Sequence, residues 1–180
     1  MFNNSFSKTF FDIDSKTDLL VAYYSLIKRI NFILPPGKET NYQHMFTSET
    51  KVRVRYAETD QMGFVYHSNF FLYFEVARAE SIRQLGFTYA DMEKMGMIMP
   101  VVDVHARYLR PALYDDLLTI KTFLKEMPVH HKIEFHHEVY NEKDELLCVG
   151  KIILYFMEKN GMKRTAMPEA LKKKIERYFQ

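Results

Sequence analysis

The stretch Val54–Glu75, V-R-Y-A-E-T-D-Q-M-G-F-V-Y-H-S-N-F-F-L-Y-F-E, decides how this chain is read. It carries acids at Glu58 and Asp60, turns at Gly63, passes through Tyr66-His67 and enters a long apolar run at helical spacing. A carboxylate is thereby placed close to a helix start. The first turn of a helix has backbone N–H groups without intrahelical partners, and the aligned peptide dipoles add partial positive charge there. Such a turn suits a developing oxyanion. With a carboxylate and an imidazole nearby, the residue types needed to hydrolyse an activated ester are present.

Outward from this stretch, Thr50–Tyr56 alternates in a period-two pattern that predicts a half-buried strand. On the other side Phe70, Phe71, Phe74, Ala77, Arg78, Ser81, Ile82 and Leu85 follow i, i+3, i+4 spacing up to Gly86, with Ser68 or Asn69 as cap. The apolar arc of this helix is wide, which predicts that a sheet largely encloses it. A short second helix is expected over Thr88–Lys94. Strands are expected over Met99–Tyr108, Leu117–Glu126, His130–Tyr140 and Leu146–Met157, the last two joined by the polar loop Asn141–Glu145. Strands meandering after one helix give an antiparallel sheet and an α+β class. Glu169–Phe179 reads as a basic C-terminal helix after Pro168, with Lys172-Lys173-Lys174 as a solvated face.

The positions Tyr56, Glu58, Asp60, Gly63, Phe64-Val65, Tyr66-His67, Asn69, Phe70 and Phe74-Glu75 resemble the signature of the 4-hydroxybenzoyl-CoA thioesterase family, a branch of the hotdog-fold acyl-CoA thioesterases. The later segment Tyr108-x-Arg110-Pro111-Ala112-x-Tyr114-Asp115-Asp116 resembles the family's strand-and-turn motif. Two ordered motifs at family spacing are more specific than a lone Asp-His pair. The resemblance runs from about Thr50 to Phe156 and implies a hotdog fold, an antiparallel β-sheet wrapped around a long central α-helix. It also implies acyl-CoA thioester hydrolysis to a free acid and CoA. CoA is then part of the substrate, with no cofactor and no metal.

By that resemblance Asp60 is the nucleophile or the general base, and the sequence leaves both open. His67 matches the position whose backbone N–H polarises the thioester carbonyl, and its imidazole can orient water or the leaving thiolate. Tyr66, Asn69, Glu75 and Arg110 are expected to bind substrate; Tyr66 and Asn69 could equally pack the turn and cap the helix. Glu58 competes with Asp60 as base but stands earlier than the family's catalytic acid. A homodimer with the active site at its seam, or a tetramer of such dimers, is implied. The rival readings are a thioesterase acting on acyl carrier protein and a non-catalytic acyl-CoA-binding hotdog protein.

Composition bounds these readings. At 180 residues the chain suits one domain with a terminal extension, and 47% hydrophobic residues suffice for a sizeable core. The net charge of +2, from 25 basic and 23 acidic residues, gives no case for a nucleic-acid partner. Cys148 is the only cysteine, so no intrachain disulfide can form, and a reducing, cytoplasmic setting is expected. Its apolar run Leu146–Val149 marks it as a core residue. The apolar stretch between Asp14 and Leu34 is interrupted by Lys28 and Arg29, too short for a membrane span. Residues 1–45 are expected to be an extension: either a docked amphipathic helix or, the preferred reading, an upstream stretch with Met45 as the working start. The hotdog domain is expected over 46–160 and a helical tail over 161–180. His130, His131, His136 and His137 alternate between strand faces and lack zinc-ligand spacing, so they read as cross-strand partners.

Overall fold

The chain divides into two units, Met1–Lys38 and Glu39–Gln180. The computed structural model describes residues 45–180, and the expectations on residues 1–44 lie outside them. Strand β1 spans Phe46–Arg53, and helix α1 spans Asn69–Gln84. Helix α2 (Tyr89–Lys94) and the two-residue β2 (Met97–Ile98) lead into β3 (Val101–Tyr108). Then follow β4 (Leu117–Leu124), β5 (Lys132–Tyr140), β6 (Leu146–Tyr155), β7 (Met157–Glu158) and α3 (Glu169–Glu176). Strands β1, β4, β5, β6 and β3 form one sheet in that order, with every pairing antiparallel, and β2 pairs with β7.

Helix α1 lies on one face of the five-stranded sheet, the hotdog arrangement that the resemblance implies. Its sheet-facing stripe is Phe70, Tyr73, Phe74, Ala77, Arg78, Ser81 and Ile82, all buried. The spacing of 3, 1, 3, 1, 3 and 1 keeps these residues on one side of a 3.6-residue helix. The other side is not enclosed by this chain's described residues: Phe71, Leu72 and Val76 are 38%, 52% and 45% exposed. The wide apolar arc therefore has two fates, and only one of them is the sheet.

Beneath α1 the strand register brings Ser48, Thr122, His137, Gly150 and Ala106 opposite one another across all five strands. This row of small and polar residues crosses an otherwise apolar face because it makes room for a ring. Phe74 is fully buried and stacks on His137 at 4.9 Å between centroids and 10° between planes. A Cβ at Gly150 would fall 2.5 Å from the Phe74 ring. Thr122 Oγ1 lies 3.1 Å from His137 Nδ1, and burial pushes the imidazole down to about 3, so it is neutral.

Several expected boundaries move. β1 starts four residues earlier than expected and ends at Arg53. There the backbones of Val54, Asp115 and Asp116 exchange hydrogen bonds, Val54 donating to Asp116 at 3.0 Å and accepting from Asp115 at 3.1 Å. His130 and His131 precede β5 instead of opening it, and His130 takes a turn conformation with φ 58°. His136 faces Glu134 at 3.1 Å, while His137 is in the core. The C-terminal helix is shorter than expected and is no detached tail: Leu171 and Ile175 are buried in the core cluster. Cys148 is fully buried, and burial raises its thiol to about 12. Among the described residues no helix is long and apolar enough to cross a membrane.

Gly150→Ala tests the fit of α1 on the sheet. Overpacking at a rigid ring typically costs about 1–3 kcal/mol. A urea titration should show that loss, and adding Phe74→Leu should return part of it.

Candidate active site

Between β1 and α1 the chain makes a short turn of 3-10 helix, Tyr56–Glu58, then a narrow hairpin. Thr59 and Val65 form an isolated antiparallel bridge, Asp60 N–H donates to Phe64 O at 2.8 Å, and Tyr66 N–H donates to Glu58 O at 2.8 Å. Gly63, with φ 81°, supplies the left-handed backbone that this tight reversal needs. Phe64 bridges to Leu113 and Val65 N–H donates to Ala112 O at 2.8 Å, which ties the hairpin to the Arg110–Asp116 motif. The two sequence motifs are therefore one structural unit.

Asp60 sits near the tip, partly buried. Its Oδ1 accepts hydrogen bonds from Met62 N–H at 2.8 Å and Phe64 N–H at 3.3 Å. Among the described residues no donor meets Oδ2. One oxygen thus fixes the carboxylate and the other stays available. This is also the aspartate-turn geometry that a structural Asp would adopt.

His67 is exposed, three residues beyond the Asp60–Phe64 closure along the hairpin. Tyr108 at the end of β3 donates its hydroxyl to His67 O at 3.0 Å, and its ring packs on Phe70 at 5.4 Å. Ser68 is the residue at the helix cap, but it has αR backbone angles and makes no side-chain capping bond. The expected Ser68 cap is thus absent. Asn69 does not cap either: its Nδ2 donates to Glu58 O at 2.7 Å. Asn69 N–H donates to Tyr66 O at 2.9 Å, so the helix opens through a turn. Among the described residues the backbone N–H groups of His67 and Ser68 have no acceptor. An uncapped helix start offers these amides to a ligand oxygen.

The other expected binding residues are dispersed. Tyr66 is half exposed, its ring 4.3 Å from that of His67. Glu75 is exposed on α1, one turn after Phe71. Arg110 donates from Nη1 to Leu146 O at 2.9 Å, where the end of β3 meets the start of β6.

Sequence reasoning ranked Glu58 second to Asp60 and missed its structural part. Glu58 is 6% exposed and accepts from Arg55 N–H, Arg55 Nε and Tyr73 Oη, each at 2.8 Å. Burial pushes this carboxyl up, but the Arg55 and Tyr73 hydrogen bonds and the guanidinium charge outweigh it and hold the group below its ordinary value. Its backbone carbonyl meanwhile receives Tyr66 and Asn69. Tyr108 was also missed as a support for the helix start. The one available signal was the acid Glu58 and a tyrosine fifteen residues after Glu58, at a spacing that only the fold closes.

The family model of the thioesterase-like superfamily matches residues 54–175, more than half of the chain. The chain belongs to this superfamily. Its enzyme class is accordingly that of a thioester hydrolase. A putative acyl-CoA thioesterase of Bacillus subtilis, YneP, is 41% identical over 115 residues, covering 59% of this chain and 83% of that protein. A DHNA-CoA thioesterase from Staphylococcus aureus is 38% identical, with a TM-score of 0.64 over 67% of this chain and 80% of that one. A 4-hydroxybenzoyl-CoA thioesterase structure matches in fold, with a TM-score of 0.65 at 20% identity over 72% of this chain and 98% of the other.

Glu58→Gln separates support from chemistry. Because the folded carboxyl titrates below its ordinary 4.5, its contribution is complete above that pH and is lost as pH falls through the folded value. The variant should lose about 1–3 kcal/mol at pH 7. That gap should narrow in urea titrations run below about pH 4.

Proposed function

We propose that this chain hydrolyses acyl-CoA thioesters to a free acid and CoA, with Asp60 and the start of α1 as the catalytic pair. The observation that carries this reading is the hairpin itself. One continuous, cross-bonded loop holds a carboxylate with one oxygen anchored and the other without a donor among the described residues, and it ends at two backbone amides that meet no acceptor among them. The thioester carbonyl oxygen takes the His67 and Ser68 amides, which stabilise charge as it builds on that oxygen. Asp60 Oδ2 either attacks the carbonyl carbon, giving an acyl anhydride that water then cleaves to the free acid and the carboxylate, or takes a proton from water that attacks the carbonyl directly; in both routes the C–S bond breaks and the thiolate of CoA leaves. In this reading the exposed His67 imidazole orients water or the departing sulfur. Of the expected binding residues, Tyr66 lines the substrate beside His67 in this reading, while Asn69 and Arg110 hold the backbone carbonyls of Glu58 and Leu146.

A second copy of the chain belongs to the proposal. Among the described residues strand β3 pairs only with β6, and Val101, Val102 and Val104 are 47%, 45% and 37% exposed along it. With Phe71, Leu72 and Val76 on α1, these residues form apolar surface of the kind that two-fold pairing buries. A homodimer through this edge, or a tetramer of such dimers, accounts for that surface. The free, buried Cys148 is in keeping with a cytoplasmic setting.

Asp60→Asn is the decisive substitution, because an amide oxygen can still accept from Met62 and Phe64 while the charge is lost. Free-thiol release across an acyl-CoA panel should fall by about two orders of magnitude or more with the fold intact. Undiminished turnover sinks the assigned role, and the same panel loaded on acyl carrier protein decides the carrier. In ¹⁸O-water, label appearing in Asp60 establishes direct attack, with the anhydride opened by water at the Asp60 carbonyl. For the oligomer, Leu72→Glu should give a folded monomer by sedimentation, with activity lost.

A further inference from the structure

A cavity of about 290 Å³ lies between α2 and the strand that follows it, lined by Tyr89, Met92, Met97, Ile98, Met99 and Pro100, with Glu93 beside them. Three thioethers, an isoleucine and a proline make its walls apolar and adaptable, since methionine side chains re-pack at low cost. Met92 is 1% exposed, whereas Met97, Ile98 and Met99 are only partly buried, so the cavity meets the surface through the 97–99 segment. The polar exception is Tyr89. Its hydroxyl accepts a hydrogen bond from Arg78 Nη1, and the guanidinium carbon lies 5.1 Å from the ring centroid. Burial pushes the Tyr89 hydroxyl up to about 12, against the opposing charge of Arg78, so it stays protonated.

The connection of this cavity to the reacting end runs along α1. Phe71, Glu75 and Arg78 stand at i, i+4 and i+7, a single stripe of the helix. Phe71 and Glu75 are exposed and Arg78 is buried against Tyr89, so the stripe runs from the first turn of α1 to Tyr89, which is a wall of the cavity. From Asn69 to Arg78 the helix advances about 13 Å. A staggered hydrocarbon chain advances roughly 1.25 Å per carbon, so roughly ten carbons span that length. A cavity of 290 Å³ lies at the small end of ligand sites, which suits the end of a chain and not a whole acyl group.

We propose that this methionine-walled cavity seats the tail of an unbranched aliphatic acyl group, and that Met97, Ile98 and Met99 set its length. The inference rests on the thioesterase reading above and deepens it. The substrate class is a medium-length fatty acyl thioester, with the carbonyl at the uncapped start of α1 and the chain along the Phe71–Glu75 stripe. Short acyl groups are held at the carbonyl alone and gain nothing from the cavity.

The test compares kcat/KM for dodecanoyl-CoA and butanoyl-CoA in the native chain and in Ile98→Trp, which fills the cavity. The native ratio should favour dodecanoyl-CoA. In Ile98→Trp it should fall by about tenfold or more, through KM, with butanoyl-CoA turnover within about twofold of native. Butanoyl-CoA turnover also reports that the variant is folded; if that activity is lost, the smaller change Met99→Phe makes the same measurement. Paired Met97→Ala and Met99→Ala should move the optimum to longer chains. An active enzyme whose ratio is unmoved, or whose turnover of both substrates falls in equal proportion, overturns this inference alone. A native chain that cleaves no acyl-CoA overturns the functional reading and this inference with it.

Discussion

The buried carboxylate of Glu58 is the constraint on which the rest of the site depends. It binds the backbone and side chain of Arg55 before it and Tyr73 on α1 after it, while its own carbonyl receives Tyr66 and Asn69. Four segments thereby meet at one residue: the end of β1, the 3-10 turn, the returning arm of the hairpin and the first turns of the helix. A buried charge persists only where its lone pairs are matched by donors. Any movement of the helix start relative to the hairpin would break that matching, so the geometry around Asp60 is set by its buried neighbour Glu58.

The second fixed point is the contact of Phe74 with the middle of the sheet. Gly150 admits the ring, His137 stacks on it, and the polar row from Ser48 to Ala106 marks where the helix crosses. Glu58 fixes α1 at its start and Phe74 fixes it one turn later, so both the axial position and the rotation of the helix are determined. That rotation turns Phe71, Leu72 and Val76 away from the sheet and leaves Arg78 beneath Tyr89. The exposed apolar side of α1 is thus a consequence of how its buried side is seated.

Much of the architecture was legible because its signals are local. Helix α1 follows from i, i+3, i+4 spacing, and β4, β5 and β6 from alternation and a polar hairpin loop. The errors fell where local pattern yields to pairing. The alternating run to Tyr56 suggests more strand, yet hydrogen bonds with Asp115 and Asp116 end β1 at Arg53. The two-residue β2 and β7 have no pattern of their own and exist only because they meet. Ser68 has the chemistry of a cap but not the backbone angles of one, which left the amides at the helix start unfilled.

The sequence by itself carried the class of chemistry through a resemblance to a known family: an acid, a tight glycine turn and an aromatic helix in fixed order. It could not determine how those parts are held. Glu58 and Tyr73 are fifteen residues apart, Tyr108 and His67 forty-one, and Arg110 and Leu146 thirty-six. Such contacts depend on which strand lies beside which and on the rotation of one helix. Both are set by the packing of side chains that no short window of sequence brings together, so only the tertiary structure decided which polar groups support the site and which are left free to act.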